Sequence, residues 1–392
     1  MSEQPAGSTP SRLVRRRSSL IAHWGHEGFL VQNYASGSEL AVGPLEVAIL
    51  NALGSWTTVG AVVRGLSSFD SGSVQSAVET LLEQGILEAS DRPSHPGERA
   101  YRRWGAWAPE AAFFHAATRD VQFSDQATRI AFESREISDR LRVAPLKEYE
   151  GRARLRLPDF HRDSELARTL LARRSWRRFG ETPITLDAVA NLLGLTWGVQ
   201  RWVVGKGERF PLKTSPSGGA RHSLEVYLCA NEVLGLSSGL YHYSPDAHSL
   251  VLLREGDMRA TLKGALPQQQ AFATAPAVFF MTSVFARVQW RYKFARAYRV
   301  VLLEAGHFCQ SFCLVATSMG LAPFNTAALG DSFIEEKLGI DGVSEAVLYA
   351  AGVGSRPAET AWAPWPDRSS VPETVEPAHA TPPDAASESC GG

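Results

Sequence analysis

Apolar residues recur at helical spacing between residues 20 and 90 and predict three short helices followed by a strand. The first helix opens at Gly43-Pro44, Thr57-Thr58 caps the second, and the third runs from about Ser73 to a stop at Gly85. The strand follows directly at residues 86–88. This order of elements is typical of a winged helix.

From about Ser164 the pattern changes to alternating helices and strands. Ser244-Pro245-Asp246 separates two strands and predicts an antiparallel hairpin. Helices mixed with antiparallel hairpins favour an α+β fold over a doubly wound sheet. We predict helices at 166–173, 186–193 and 304–319, and strands at 224–230, 239–243, 249–253, 277–281 and 346–353.

Composition divides the chain into folded and unfolded segments. The last 36 residues hold 7 of the 22 prolines, and no Leu, Ile, Met, Phe or Tyr follows Trp365. A tryptophan-rich connector, with a helix predicted at 124–141, joins the two patterned regions. The predicted segments are a disordered arm at 1–18, a winged-helix-like module at 19–90, a helical connector at 91–163, an α+β domain at 164–356 and a disordered tail at 357–392.

The charge balance argues against two classes of partner. Of the 392 residues, 40 are basic and 41 acidic, which leaves no overall attraction to nucleic acid or an anionic membrane. Between Ala41 and Ser90 Arg64 is the one base against five acids, so a structural or peptide-binding module is favoured over a DNA reader. No apolar run approaches a membrane span, and no signal-peptide core follows the basic N-terminus. We expect a cytoplasmic protein without nucleic-acid or membrane partners.

Familiar cofactor and metal motifs are missing from the sequence. The four cysteines lack the paired spacing of a zinc site and are expected to be reduced. No Gly-rich fingerprint follows a strand, so neither a Rossmann dinucleotide site nor a Walker nucleotide site is supported. A redox cofactor would have to be held in another way.

An arginine-rich segment at 173–179 ends a predicted helix. It contains four guanidiniums and one hydroxyl, which can make charge-assisted contacts to a phosphate. The alternative is a basic run that complements the dipole at the helix C-terminus. The side chains concerned are Arg173, Arg174, Ser175, Arg177 and Arg178.

A second polar segment, residues 213–222, immediately precedes a strand. Its paired glycines permit close approach to a flat ligand, and its hydroxyl and cations can oppose negative charge. An ordinary turn at a strand entry would have a similar composition, and His222 is expected to be structural. The candidates are Lys213, Ser217, Gly218, Gly219 and Arg221.

The third segment, residues 288–299, places cations on both sides of Tyr292. Arg291 and Lys293 would favour its phenolate form and make it a candidate acid or base. The alternative is a solvated basic stretch in which Trp290 and Tyr298 are core anchors.

Together and in this order, these segments resemble the nitroreductase-like flavoenzymes, and specifically the SagB/ThcOx-type dehydrogenases of azole-forming peptide pathways. The resemblance covers about 164–356. It rests on Arg-Arg-Ser-Trp-Arg-Arg-Phe at 173–179, Pro-Ser-Gly-Gly-Ala-Arg-His at 216–222, Arg-Tyr-Lys-Phe-Ala-Arg-Ala-Tyr-Arg at 291–299, Ala-Gly-His at 305–307 and Gly-Leu-Ala-Pro at 320–323.

The resemblance implies an α+β nitroreductase-like fold with FMN bound at the interface of a homodimer. In such a site Arg173, Ser175 and Arg177 would hold the FMN phosphate with help from Arg356. Ser217, Gly218 and Gly219 would lie along the flavin, with Lys213 and Arg221 as nearby cations. The backbone at Ala328 and Leu329 would approach the flavin ring.

One position departs from the pattern of the azoline-oxidising relatives, which place a Lys-Tyr pair where this chain has Arg291-Tyr292. Arginine does not release its proton in proteins, so the base would be Tyr292 or Lys293. The implied activity is the FMN-dependent oxidation of a ring or peptide-derived substrate, such as an azoline, with a cyclodehydratase as a possible biosynthetic partner. The alternatives are an NAD(P)H-dependent nitro or quinone reductase and a flavin-free peptide-binding scaffold.

Overall fold

A computed structural model describes residues 12–121, 146–147, 152, 155, 157–205, 207–269 and 272–358. The helix predicted at 124–141 and residues 359–392 lie outside this range. The strands are β1 Leu13–Arg16, β2 Leu20–Gly25, β3 Gly28–Asn33, β4 Ser38–Ala41, β5 Thr57–Thr58, β6 Leu87–Ala89, β7 Ile184–Thr185, β8 Arg201–Gly205, β9 Glu208–Leu212, β10 Leu224–Ala230, β11 Val233–Leu234, β12 Gly239–Ser244, β13 Ser249–Glu255, β14 Ala277–Val284, β15 Leu321–Thr326 and β16 Glu345–Ser355.

The described helices begin and end close to capping signals in the sequence. Thr58, Asp70, Ser164 and Thr185 each accept a hydrogen bond from the first turn of the helix that follows. The helices are α1 Pro44–Ala52, α2 Val59–Gly65, α3 Ser71–Glu83, α4 Pro96–Arg102, α5 Glu110–Ala117, α6 Glu165–Ala172, α7 Leu186–Thr196, α8 Arg259–Ala265, α9 Phe285–Arg291, α10 Ala297–Ser318 and α11 Asp331–Leu338.

A six-stranded sheet in the order β13-β12-β10-β14-β16-β15 forms the centre of the larger domain. Every pairing in it is antiparallel, including the predicted hairpin of β12 and β13. Phe279 and Phe280, in the middle of β14, point to opposite faces and belong to separate apolar clusters. Helices α7 and α10 pack on the face that holds Phe279, whereas α8 and α11 cover the other. The α+β prediction is therefore confirmed.

Helix α10 is the longest described element and crosses one face of this sheet. The sequence predicted its start at Glu304, but the helix begins seven residues earlier, at Ala297. Its length and mean hydropathy of 1.4 would also suit a membrane span, contrary to the expectation that no segment approaches one. Half of that apolar stretch is buried, and Phe308 and Phe312 pack on the sheet. These contacts are those of a core helix.

The prediction of a disordered arm at 1–18 is wrong for its last residues, because residues 13–16 form β1. This strand pairs antiparallel with β5 and β6, and Val14 at its centre is fully buried. The three-stranded sheet β2-β3-β4 was also not predicted. Local composition does not reveal β1, because its partners lie more than 40 residues away.

Strand β1 and the first part of the connector change the charge balance of the N-terminal unit. Residues 12–103 contain nine arginines and nine carboxylates, so the acidic balance calculated for 41–90 does not describe the folded unit. Arg16 and Arg17 line a groove of about 790 Å³ whose walls include Leu20, Val31 and Leu50. Among the described residues neither arginine forms a salt bridge, and each donates a hydrogen bond to a backbone carbonyl.

The tryptophan-rich connector packs the module against the larger domain. Trp104 and Trp107 are almost fully buried in a cluster with Phe285 and Tyr298. His115 lies within 2.8 Å of the Tyr298 hydroxyl, and burial lowers the pKa of this histidine to about 4. A neutral imidazole can bridge two polar groups without a charge in the core. Module and domain therefore share one aromatic interface.

Candidate functional site

Helix α10 contacts the segment at 213–222 near one end and Arg356 near the other. Val300 and Glu304 near its N-terminal end contact the segment at 213–222. Cys309 in its middle accepts a hydrogen bond from Asn325 at 3.2 Å. The backbone carbonyl of Thr317, near its C-terminal end, accepts one from Arg356 at 3.1 Å. Thr317 follows Glu304 by thirteen positions, which corresponds to a rise of about 20 Å.

The arginine-rich segment lies at the C-terminal end of α10. The Trp176 backbone N–H donates to the Pro323 carbonyl at 2.9 Å and fixes the segment to β15. Arg356 donates to the carbonyls of Leu321 and Thr317 at 3.1 Å each. Its guanidinium lies 5.8 Å from the Trp176 ring. The structure thus places Arg356 beside the predicted phosphate segment.

Within this segment the predicted phosphate ligands differ in exposure. Arg173 is half-buried and close to Cys313 on α10. The hydrogen bond with Cys309 lowers the pKa of the Cys313 thiol against the effect of burial, and the Arg173 charge adds to this lowering. Ser175 and Arg177 are exposed. The group therefore offers one half-buried cation and two exposed side chains.

The glycine turn has a backbone conformation that is unfavourable for most other residues. Gly219 has a φ of 61°, in the left-handed region, and forms a short 3₁₀ turn with Gly218 and Ala220. A Cβ on Gly218 would lie 2.5 Å from Val300, and one on Gly219 would lie 2.7 Å from Arg291. Close packing against α9 and α10 is thus a second reason for the paired glycines, besides the approach of a flat ligand.

The candidate catalytic residues Arg291, Tyr292 and Lys293 follow α9. The Tyr292 hydroxyl lies 3.0 Å from the position that a Gly219 Cβ would take, so tyrosine and turn are in direct contact. The backbone carbonyl of Tyr292 accepts a hydrogen bond from the Trp107 indole at 2.7 Å. Lys293 is exposed. The structure thus brings Arg291 and Tyr292 to the turn, and it shows no contact between the turn and Lys293.

Arg221 turns away from this contact and stacks on aromatic rings. Its guanidinium lies 4.0 Å from the Trp290 ring and 4.7 Å from the Phe210 ring. Trp290 is about half exposed, so it is not the core anchor considered from the sequence, whereas Tyr298 is buried. Arg221 therefore orders the surface beside the turn.

Charged groups surround Lys213 below the turn. Burial is the main reason why the pKa of Lys213 is lowered to about 8; Arg287 acts in the same direction, and Glu225 and Glu304 act against it. Burial, Lys213 and Arg287 lower the pKa of His222 to about 4. His222 is therefore neutral near pH 7, in keeping with the structural role expected for it.

Ala328 and Leu329 follow β15 at the edge of the domain. The Ala328 carbonyl accepts a hydrogen bond from the Gln269 side chain at 2.7 Å, and its N–H donates to Thr326 at 3.1 Å. Leu329 is buried in the second apolar cluster. Since β15 runs back along α10 from Leu321, these residues lie away from the arginine end.

Sequence reasoning missed two residues that the structure places beside the candidates. Glu304 was predicted as the first residue of a core helix, but it accepts a hydrogen bond from Ser217 at 2.7 Å. Trp107 was noted only as part of a tryptophan patch, but it holds the Tyr292 backbone. Both contacts cross more than 80 residues of sequence, and the one available signal was a carboxylate in an otherwise apolar helical stripe.

The types of polar group at the candidate site are those that could bind a flavin mononucleotide. Guanidiniums and a hydroxyl suit a phosphate, and a glycine turn with a hydroxyl suits a flat polar ring. The two groups lie about 20 Å apart along α10. Among the described residues, no cluster of His, Cys, Asp and Glu could hold a metal ion.

The comparison with known families identifies the class of this α+β domain. Residues 170–355 match the model of the nitroreductase family. "Putative nitroreductase MJ1384" of Methanocaldococcus jannaschii is 33% identical over 186 residues, which are 47% of this chain and 89% of that protein. The chain belongs to the nitroreductase family, a family of oxidoreductases. The resemblance recognised in the motifs is confirmed at this level.

Two further relatives carry names of peptide-processing proteins. "Trifolitoxin-processing protein TfxB" of Rhizobium leguminosarum bv. trifolii is 31% identical over 43% of this chain. "Microcin B17-processing protein McbC" of Escherichia coli is 27% identical over 32% of this chain. The matched regions span about half of these two relatives, 46% and 48% of their lengths.

Proposed function

We propose that this chain is an FMN-dependent dehydrogenase of the SagB type, which oxidises a ring or peptide-derived substrate such as an azoline to an azole. The observation that carries the proposal is the contact of Tyr292 and Arg291 with the Gly218-Gly219 turn. It brings a candidate proton acceptor, a cation and the glycine turn together in one place. Relatedness to two peptide-processing proteins supports the substrate class.

The residues of this chain have distinct roles in the proposal. Bound FMN would supply the hydride acceptor. Tyr292 takes the proton from the substrate, because Arg291 keeps its own proton at any working pH. Arg291 and Lys213 offset negative charge that develops nearby. Arg173, Ser175, Arg177 and Arg356 hold the phosphate.

The test of flavin binding is the absorbance of the purified chain. We expect a yellow protein with a flavin spectrum, and we expect the double variant Arg173→Ala/Arg177→Ala to bind FMN at least about tenfold more weakly, because two charge-assisted contacts are lost. Arg64→Ala, an exposed arginine of α2, is the matched control. A colourless wild type that cannot be reconstituted with FMN would rule out the proposal.

The proposal includes a homodimer. The arginine group and the glycine turn lie at opposite ends of α10, so a flavin between two copies could contact the arginines of one and the turn of the other. Exposed apolar side chains on α6 and α10, among them Leu166 and Leu303, are suited to such an interface. Sedimentation is expected to give twice the chain mass of 42.7 kDa, and a stable holoprotein monomer would contradict it.

The N-terminal module would hold the peptide part of the substrate or a biosynthetic partner such as a cyclodehydratase. Its arginine-lined groove suits an apolar segment that carries carboxylates. We expect Arg16→Glu/Arg17→Glu to weaken binding of a synthetic leucine–glutamate peptide at least about tenfold, while Arg64→Glu has little effect. Equal binding of a leucine–lysine peptide by the wild type would refute this role.

An NAD(P)H-dependent nitro or quinone reductase is the second candidate, and the similarity to a nitroreductase-named relative favours it. Anaerobic mixing of the holoprotein with NAD(P)H separates the two. Rapid bleaching of the flavin indicates the reductase. Bleaching by a short peptide with one thiazoline ring, but not by NAD(P)H, indicates the dehydrogenase. A flavin-free scaffold would show neither.

A further inference from the structure

Glu304 is a carboxylate in the apolar stripe of α10, and its side chain is 1% exposed. The groups found next to one carboxylate oxygen or near the carboxylate are donors and a cation, and among the described residues the other oxygen has no hydrogen-bond partner. Ser217 donates its hydroxyl at 2.7 Å, the amides of Leu224 and Ser223 point to it, and Lys213 is the nearby cation. Burial raises the pKa of Glu304, and these four groups act in the opposite direction.

The neighbours of Ser217 determine whether its hydroxyl donates or accepts each hydrogen bond. The backbone N–H of His222 can only donate, and it donates to the Ser217 oxygen at 2.9 Å. The single hydroxyl proton is given to Glu304. A serine hydroxyl has one proton and two lone pairs, so one lone pair remains. Ser217 can therefore accept, but not donate, a hydrogen bond at the surface of the turn.

Lys213 faces charged groups from several elements. Glu225 on β10 and Glu304 on α10 favour its ammonium form, and Arg287 on α9 opposes it. His222 is near but neutral around pH 7. The ammonium lies 5.8 Å from the Phe308 ring, one helical turn beyond Glu304. Loss of either carboxylate would remove an attraction that offsets the burial of this lysine.

We propose that Glu304 is a positioning residue of the flavin site, whose buried carboxylate orients the Ser217 hydroxyl as an acceptor towards the bound ligand and keeps Lys213 cationic. The inference rests on the proposed function for the identity of the ligand. It adds a residue that touches neither FMN nor substrate and acts through Ser217 and Lys213. Its two effects can be separated, because glutamine preserves the acceptor oxygen but removes the charge.

The charge effect is measured on the full chain without flavin. Trace acetylation with acetic anhydride across pH 6–11, read by mass spectrometry, gives the labelling midpoint of Lys213, expected near pH 8. Because loss of a facing negative charge destabilises the ammonium, Glu304→Gln should lower the midpoint by about one unit. Glu225→Gln, which does not contact Ser217, should also lower it. Labelling of the distant Lys263 serves as the internal reference.

The positioning effect is measured as FMN affinity by fluorescence quenching. Glu304→Gln and Glu225→Gln should bind FMN within about threefold of the wild type. Glu304→Leu, which removes the acceptor, should bind about tenfold more weakly, matching Ser217→Ala. Circular dichroism checks that Glu304→Leu is folded, and Glu304→Gln keeps the charge test independent of it.

Two results would overturn the inference: an unchanged Lys213 midpoint in Glu304→Gln, or wild-type FMN affinity in both folded Glu304→Leu and Ser217→Ala. Failure of the proposed function is recognised differently, because the wild-type chain itself then takes up no FMN.

Discussion

Replacement of Tyr292 by phenylalanine is expected to lower turnover by about 10²–10⁴-fold while FMN stays bound, because the change removes the proton acceptor and leaves the turn intact. The ring still fits beside Gly219, and the Trp107 indole still has the backbone carbonyl of residue 292 to bind. The loss should therefore lie in kcat. Turnover of a peptide with one thiazoline ring, together with flavin absorbance, measures both quantities.

Lys293→Gln is the matched control for this prediction. Lys293 is the neighbouring alternative base, but it is exposed and the structure shows no contact with the turn. Its variant should keep near wild-type turnover. The opposite result, an active Tyr292→Phe and an inactive Lys293→Gln, would show that Lys293 is the proton acceptor instead of Tyr292.

The second large effect is expected at Trp107, where alanine should lower the free energy of unfolding by about 3–5 kcal/mol. The side chain is 1% exposed and packs against Phe285 and Tyr298, so its removal leaves a cavity between connector and domain. It also removes the hydrogen bond to the Tyr292 carbonyl. Turnover should fall as well, because the loop that carries Tyr292 loses its anchor. Denaturant unfolding and turnover of the same sample test both parts.

Two variants show whether the effect belongs to this site. Trp107→Phe keeps much of the ring but lacks the N–H, so it should be more stable than the alanine variant and still have reduced turnover. Trp24→Ala removes a tryptophan that is 80% exposed and should change stability by less than about 1 kcal/mol. Equal losses in Trp24→Ala and Trp107→Ala would contradict the assignment of Trp107 to the core.

Elements with a local signal in the sequence were predicted well. Helices α1 to α3 carry caps or a proline start, and β10 and β12 to β14 carry apolar runs bounded by turn residues. Strand β15 was missed because its Ala-Pro-Phe-Asn core combines residues typical of strands with residues typical of turns. It forms a strand by pairing with β16. The first turns of α10 were missed because Arg296 and Arg299 interrupt the apolar pattern of the sequence there. In the structure Ala297 and Val301 are nevertheless buried.

The candidate site was predictable as three segments but not as an arrangement. Residue type alone identified Arg173, Ser217 and Tyr292 as candidates for phosphate, ring and proton chemistry. Their placement depends on the packing of distant elements, and so does the involvement of Glu304. Arg291 and Lys293 are both exposed, and what distinguishes Arg291 is its contact with the turn. No periodicity distinguishes those neighbours.

Helix α10 carries contacts to both halves of the candidate site. The number of residues between these contacts therefore sets the distance and the relative rotation of the two halves. One residue inserted between Glu304 and Thr317 would turn one end against the other by about 100° and move it by about 1.5 Å. Arg356 or Ser217 would then lose its partner on the helix. Homologues should therefore tolerate insertions in the hairpin of β8 and β9 but keep this interval constant, and designed linkers or tags belong in that hairpin rather than near α10.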